Sequence, residues 1–223
     1  MKKMSIVKLS LLLMILLGWA AQARADVFSL KALPPEGKSL SDFIPKGWTV
    51  EDQVSGDLNG DGISDIAAIL VQAKPDGPED ELQRALIVLL GGSDKDKFVP
   101  AGANNQFLQC KGCGGIKEME GIGIKKGVLV VDQWMGSREF AIETWRLRYD
   151  PRTKRLLLIG KDRETGDGME GKGTIESFNY LTGEKITETY HYDESGERKI
   201  TISSKKEKSP RETPFLEDIK PEW

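Results

Sequence analysis

Short runs of four to six apolar residues recur along the chain after residue 48, and turn-forming residues separate them. The four clearest runs cover residues 66–71, 86–90, 128–131 and 156–159. They are rich in β-branched residues and flanked by glycine, so their length and boundaries favour strands, although periodicity alone is also compatible with buried helices. A run without polar positions predicts a strand that is buried on both faces.

A different pattern appears between residues 140 and 149, where apolar and charged residues alternate. Trp145, Leu147 and Tyr149 fall on one face of an extended chain, and Arg146 and Arg148 fall on the other. Successive side chains of a strand point to opposite sides of the sheet. The alternation therefore predicts a strand with one buried face and one solvated face.

The second half of the chain reads as a meander. Turn residues at 150–153, 182–184 and 194–197 separate polar segments rich in Thr, Ile and Tyr, with Lys and Glu between them. Such strands belong at a solvated sheet edge, where charge opposes edge-to-edge pairing. The predicted fold is mainly β: an antiparallel meander of about ten strands, arranged as a propeller-like partial array or a sandwich, with few short helices.

Composition shifts divide the chain into four parts. Residues 1–25 form a targeting segment, residues 26–47 a proline-bearing irregular segment, residues 48–204 the β-rich domain, and residues 205–223 a charged tail. Within the irregular segment, residues 39–44 predict one helical turn capped by Ser39 or Ser41. We interpret the tail as loosely ordered, with Phe215, Leu216 and Ile219 as candidates to dock on the sheet.

The first 25 residues have the organisation of a secretory signal peptide. Lys2, Lys3 and Lys8 precede an apolar stretch over residues 9–21, and Ala23-Arg24-Ala25 supplies small residues around a cleavage point. The apolar stretch is too short to span a bilayer comfortably, which disfavours a membrane anchor. We expect cleavage after Ala25, a periplasmic or secreted location, and no membrane span once the signal has been removed.

Charge and histidine content narrow the function classes. The formal charge of the whole chain is -3, and removal of the signal leaves 28 basic against 35 acidic residues. A nucleic-acid partner requires a basic face that replaces counterions, so the acidic balance argues against one. His191 is the one histidine of the chain, which argues against histidine-based triads and zinc cages. We nominate no catalytic residue, and whether the protein is an enzyme stays uncertain, leaning towards no.

One motif carries a recognisable chemistry. Residues 57–65 place oxygen-bearing side chains at alternate positions of a short loop, with a glycine that permits a sharp turn. Oxygens in this spacing are how proteins hold hard cations such as calcium. Position 12 is Ala68 rather than the glutamate of an EF-hand, and the flanks read as strands, so we predict a calcium loop within a hairpin. The predicted ligands are Asp57, Asn59, Asp61, Asp65 and the Ile63 carbonyl. The alternative is that these residues only form a metal-free turn.

The stretch GDLNGDGISDIAAIL, residues 56–70, resembles the calcium loop of FG-GAP/VCBS-type repeats, the blade units of integrin-like β-propellers. The chain carries a single copy, and the preceding residues from Phe43 are similar to small secreted bacterial proteins of unassigned function. The resemblance implies calcium bound between two strands, through the side chains of Asp57, Asn59, Asp61 and Asp65 and the Ile63 carbonyl. It does not imply any particular task.

Cys110 and Cys113 form a C-x-x-C pair. In an exported protein two cysteines usually pair, so we predict a disulfide between them. A redox-active pair is the alternative, but Gly114 and Gly115 follow and disfavour the helix start that would lower the thiol pKa.

Two function hypotheses from different classes follow from these features. The first is an exported, calcium-binding β-rich module of the bacterial envelope that binds another protein or a glycan without catalysis. The second is a hydrolase that uses carboxylates on envelope polysaccharide, since paired Asp/Glu chemistry requires no histidine. The lack of a nucleophile–base set favours the first.

Export of the chain gives the first testable prediction. Expression in an exporting bacterial host should yield a mature protein that begins at Asp26, because the small residues Ala23 and Ala25 flank the cleavage point. Intact-mass spectrometry of the purified protein measures the terminus directly. A mass that retains residues 1–25 would contradict the prediction.

Overall fold

A computed structural model of the protein describes residues 28, 30–73, 82–93, 97–113, 119–196, 199–209 and 211–221. The predicted signal segment lies outside these residues. The described chain contains eleven strands: β1 (Trp48–Gly56), β2 (Asp65–Gln72), β3 (Arg84–Gly91), β4 (Phe98–Asn104), β5 (Met119–Lys125), β6 (Val128–Gly136), β7 (Glu139–Asp150), β8 (Arg155–Asp167), β9 (Lys172–Asn179), β10 (Glu184–Tyr192) and β11 (Lys199–Lys208).

Helical structure in the described residues is limited to three 3-10 turns, at Leu30–Ala32, Leu40–Phe43 and Leu216–Asp218. No helix in the described part of the chain has the length and apolar character needed to cross a membrane. The prediction of a mainly β fold with few short helices is therefore confirmed, with eleven strands where about ten were expected.

The strands form two antiparallel sheets in which neighbours in sequence are neighbours in space. The first sheet has the order β1-β2-β3-β4, and the second runs without interruption from β5 to β11. The chain therefore forms one long meander that is broken once, between β4 and β5. Short connections between adjacent antiparallel strands are what the alternation of apolar runs and turn residues predicts.

The two sheets pack face to face over a shared core, because β1 lies against β5 and β4 lies against β8. Both sheets contribute inward-facing residues, such as Ile69 and Val88 from the first sheet and Leu129 and Leu147 from the second, all of them buried. This contact makes a sandwich of the first sheet and the leading strands of the second, which is one of the two arrangements that the sequence left open.

The other face of the four-stranded sheet is also covered. Leu70 and Ile87 on this face pack with Phe28, Leu33 and Phe43 from the segment before β1. This cover explains why the runs in β2 and β3 have no polar face, since each residue there meets an apolar layer on one side or the other. The apolar runs at 66–71 and 86–90 thus correctly indicated strands buried on both faces. For the runs at 128–131 and 156–159 this prediction is wrong: buried and partly buried residues alternate there in β6 and β8, because only one face of each strand lies in the shared core.

The expected helical turn forms at Leu40–Phe43 and presents Phe43 to this second core. The Asp42 carboxylate accepts hydrogen bonds from the backbone N–H groups of Lys38, at 2.7 Å, and Ser39, at 3.0 Å. These bonds hold the pKa of Asp42 below its ordinary value. Ser39 is the N-cap, so the first of the two predicted candidates, Ser39 and Ser41, is the correct one.

Exposure rises towards the end of the second sheet. β7 has the predicted alternation, with Trp145 and Leu147 buried and Arg148 exposed. Every described residue of β11 is exposed, and this strand continues to Lys208, beyond the boundary expected at residue 204. The last strands therefore extend past the sandwich as a polar sheet.

The residues after β11 cross back over the core. Leu216 and Ile219 are buried in the shared core, and Phe215 forms a β-bridge to Leu157 in β8. The buried side chain of Asn104 donates from Nδ2 to the carbonyls of Leu216, at 2.7 Å, and Ile219, at 2.8 Å. The C-terminal segment, residues 211–221, is thus docked through all three apolar residues that the sequence nominated.

Loss of the Asn104 side chain should release the C-terminal segment. We expect Asn104→Ala to lower the free energy of unfolding by about 2–4 kcal/mol, because two carbonyls lose their buried donor. Urea denaturation measures the loss, and limited proteolysis should show faster cleavage after Arg211. The neighbouring substitution Asn105→Ala is the matched control and should change neither reading. Equal effects of the two substitutions would contradict the prediction.

Candidate metal site

The candidate calcium loop connects β1 to β2 at one edge of the four-stranded sheet. Gly60 and Gly62 adopt positive φ values of 81° and 80°. No neighbouring atom lies within 4 Å of a Cβ built at either position, so the backbone conformation and not crowding requires glycine. The two Asx-Gly pairs therefore set the path of the loop.

Side chains of the loop fold back onto its own backbone. Asp57 accepts hydrogen bonds from the N–H groups of Gly60, at 2.7 Å, and Gly62, at 2.9 Å. The side-chain oxygen of Asn59 accepts from Asp61 N–H at 3.0 Å, and that of Asp61 accepts from Ile63 N–H at 2.7 Å. The bonds from Gly62 and then Gly60 lower the pKa of Asp57 below its ordinary value. Asx-type turns of this kind pre-order a loop that would otherwise be costly to fix.

Asp65 is the buried residue of the set and begins β2. One carboxylate oxygen accepts from Leu58 N–H at 2.7 Å, and the other accepts from Gly91 N–H at 2.9 Å. Asp65 thereby joins the start of the loop to the end of β3. Burial raises its pKa above the ordinary value, the two backbone bonds oppose this, and the negative charges of Asp61 and Asp57 add to the increase.

The loop is chemically suited to a hard cation but holds its oxygens against backbone donors. Among the described residues, no three His, Cys, Asp or Glu side chains are grouped so that they could hold a metal ion as they stand. Two of the predicted side chains are in contact, since Asn59 Nδ2 donates to Asp61 Oδ2 at 2.9 Å, and the charges of Asp57 and Asp61 are near enough to raise the pKa of Asp65. A carboxylate can accept about four hydrogen bonds, so Asp57, Asp61 and Asp65 each keep lone pairs for a cation.

The turn between β5 and β6 lies beside the loop. Lys126 has a φ of 52°, and a Cβ built at Gly127 would lie 3.8 Å from the Leu58 carbonyl oxygen. Gly56, Asp57, Ile124 and Lys126 are among the residues that line the cleft between this turn and the loop. The candidate site therefore sits where the first sheet meets the second.

The predicted cysteine pair forms a disulfide bond, with Cys110 and Cys113 Cα atoms 5.4 Å apart. Lys111, between them, exchanges backbone hydrogen bonds with Leu82, at 2.8 and 3.2 Å. Its ammonium also lies 3.3 Å from the carboxylate of Glu51 in β1. Lys111 therefore ties the turn that the disulfide closes to β1, through Glu51, and to Leu82, two residues before β3.

Sequence reasoning missed a charged cluster on the inner face of the second sheet. Glu143 is 1% exposed, and its carboxylate lies 2.7 Å from the ammonium of Lys161 and 3.5 Å from Arg163 Nε. The signal was available, because Glu143 precedes Trp145 by two residues and therefore shares its buried face. A single acidic residue on an apolar face indicates a partner elsewhere in the chain.

No protein-family model, no curated protein and no solved structure matches the chain.

The role of Asp65 gives a prediction for the metal-free protein. Asp65→Ala should lower the free energy of unfolding by about 2–4 kcal/mol in the presence of a chelator, because two buried backbone donors lose their acceptor. Asp61→Ala removes an exposed carboxylate and should cost less than about 1 kcal/mol. Urea denaturation of both variants measures the difference. Similar costs for the two substitutions would show that Asp65 is not the joint between the loop and β3.

Proposed function

We propose that the protein is an exported, calcium-stabilised β-module of the bacterial envelope that acts by binding another protein or a glycan. The observation that carries the proposal is the loop at residues 57–65. Four oxygen-bearing side chains lie along this loop, whose path requires glycine at positions 60 and 62. One of them, Asp65, is buried and accepts hydrogen bonds from two backbone N–H groups. This arrangement supports a cation-stabilised joint between strands.

Calcium would be held by the side chains of Asp57, Asn59, Asp61 and Asp65 and by the carbonyl of Ile63. When bound, the ion supplies positive charge to a site in which three carboxylates repel one another. None of the ion pairs among the described residues involves these carboxylates.

A stabilising role fits this position better than a switching role. The strands on both sides of the loop are long and paired, and Asp65 already links Leu58 to Gly91. The ion would therefore act on an ordered hairpin and would favour the folded state by mass action, since it binds folded but not unfolded protein.

Export is supported by two independent features. The first 25 residues have the pattern of a signal peptide, and the described chain contains a disulfide, which persists in oxidising compartments. An interaction role is supported by the polar extension formed by β9, β10 and β11, which presents a broad sheet surface beyond the sandwich.

Calcium binding should be measurable by calorimetry and by melting temperature. We expect a dissociation constant on the order of 10⁻⁴ to 10⁻³ M, as in other extracellular modules. At ten times this concentration the gain in folding free energy is about 1.4 kcal/mol, which should raise the melting temperature by a few degrees. Magnesium should substitute poorly because it demands tighter octahedral geometry.

Asp61→Ala should abolish the calcium-dependent increase in melting temperature without unfolding the protein in chelator. Glu139→Ala removes an exposed carboxylate far along the chain and is the matched control; it should keep the full increase. If calcium changes neither the heat signal nor the melting temperature of the unmutated protein, the loop is only a turn and the proposed function is wrong.

A further inference from the structure

A second cleft, which shares no lining residue with the one beside the loop, lies between the inner face of β7 and β8 and the C-terminal segment. Its volume is about 400 Å³. Lys161, Arg163 and Tyr180 line the wall formed by the sheet, and Pro214, Lys220 and Pro221 line the wall formed by the C-terminal segment. Because Asn104 and the buried Leu216 hold that segment in place, the cleft is formed in advance of any ligand.

Beneath the cleft, the polar side-chain atoms of Glu143, Trp145 and Lys161 are partners of one another. Glu143 accepts from Trp145 Nε1 at 3.1 Å with one oxygen and pairs with Lys161 at 2.7 Å through the other. The Lys161 ammonium also lies 3.9 Å from the centroid of the Trp145 ring. Glu143 and Lys161 therefore neutralise each other and hold a fixed floor.

Arg163 differs from these residues. Among the described residues, Glu143 is its one ion-pair partner, at 3.5 Å from Nε, and the buried Nε itself makes no hydrogen bond. The Arg163 side chain is 40% exposed and lines the cleft. A guanidinium carries a planar fork of donors that matches a carboxylate through two parallel hydrogen bonds.

The net charge of the cleft and its apolar lining residues indicate which kind of anion it would bind. Lys161, Arg163, Lys220 and Asp218 line the cleft, and together with Glu143 beneath it they sum to one positive charge. Asp218 is itself paired with Arg155 at 3.3 Å, outside the cleft lining. One excess charge matches a monoanion better than a doubly charged phosphate. Tyr180, Pro214 and Pro221 offer apolar surface to the rest of the ligand.

We propose that this cleft binds a small ligand that carries one carboxylate on a ring-sized or apolar body, with Arg163 holding the carboxylate. The site is separate from the calcium loop, so a negative result for one proposal does not contradict the other.

Titration of the ¹⁵N-labelled mature protein, followed by NMR, tests the proposal. D-Glucuronate and benzoate are the carboxylate probes, D-glucose is the neutral match for glucuronate, and glucose 6-phosphate is the doubly charged match. We expect at least one carboxylate to give saturable shifts of the Trp145 indole N–H and the Arg163 amide, with a millimolar dissociation constant. D-Glucose should give none, and glucose 6-phosphate should bind more weakly than glucuronate.

Arg163→Gln should weaken carboxylate binding by about tenfold or more, since a charge-assisted hydrogen bond is lost. Arg148→Gln is the matched control, because Arg148 is exposed on the opposite face of β7, and it should bind as the unmutated protein does. An unchanged spectrum away from the cleft verifies that Arg163→Gln folds. The proposal is overturned if neither carboxylate saturates, if the phosphate binds as tightly as glucuronate, or if both variants bind alike.

Discussion

The two central strands of the four-stranded sheet, β2 and β3, have no polar face, so other parts of the chain must cover both sides of them. Residues such as Leu70 and Ile87 face one side of β2 and β3, and Ile69 and Val88 face the other, all nearly inaccessible to water. Burying an aliphatic side chain of this size contributes about 1.5–3 kcal/mol, so either face left uncovered would be costly. The segment before β1 covers one face and the second sheet covers the other.

This double cover explains why an irregular, proline-bearing segment is ordered. Phe28, Leu33 and Phe43 lie outside regular strands and long helices, but they pack on an apolar sheet face that would otherwise be exposed to water. Similarly, the C-terminal segment crosses the core because Leu216 and Ile219 complete it, with Asn104 satisfying their carbonyls. Backbone polar groups that enter a core must be paired, and one buried amide does this for two of them.

Charge is placed in this molecule according to exposure. Asp65 and Glu143 are buried, and each of their carboxylate oxygens has at least one partner: a backbone N–H group for each oxygen of Asp65, and Lys161 or Trp145 for those of Glu143. The strands beyond the sandwich carry exposed ion pairs instead, such as Lys206 with Glu184 at 2.6 Å. Surface pairs of this kind contribute little to stability, but their charge keeps a long exposed sheet edge from pairing with other chains.

The sequence alone determined the β class, the doubly buried runs of β2 and β3, the half-buried alternation of β7 and the helical turn at Ser39, because each of these depends on periodicity or on neighbours a few residues apart. It did not show that the runs in β6 and β8 are covered on one face only, because that depends on which sheet faces the chain covers. Tertiary structure decided what pattern cannot encode. Whether the meander closes as a sandwich depends on contacts between β1 and β5 and between β4 and β8, which are distant in the chain. The same holds for the hydrogen bond that Gly91 N–H donates to Asp65, 26 residues away in the chain. It holds also for the cleft beside Arg163, whose second wall comes from the C-terminal segment. Long-range pairing is set by which apolar faces fit together in three dimensions, and that information is spread over the whole chain rather than written in any one segment.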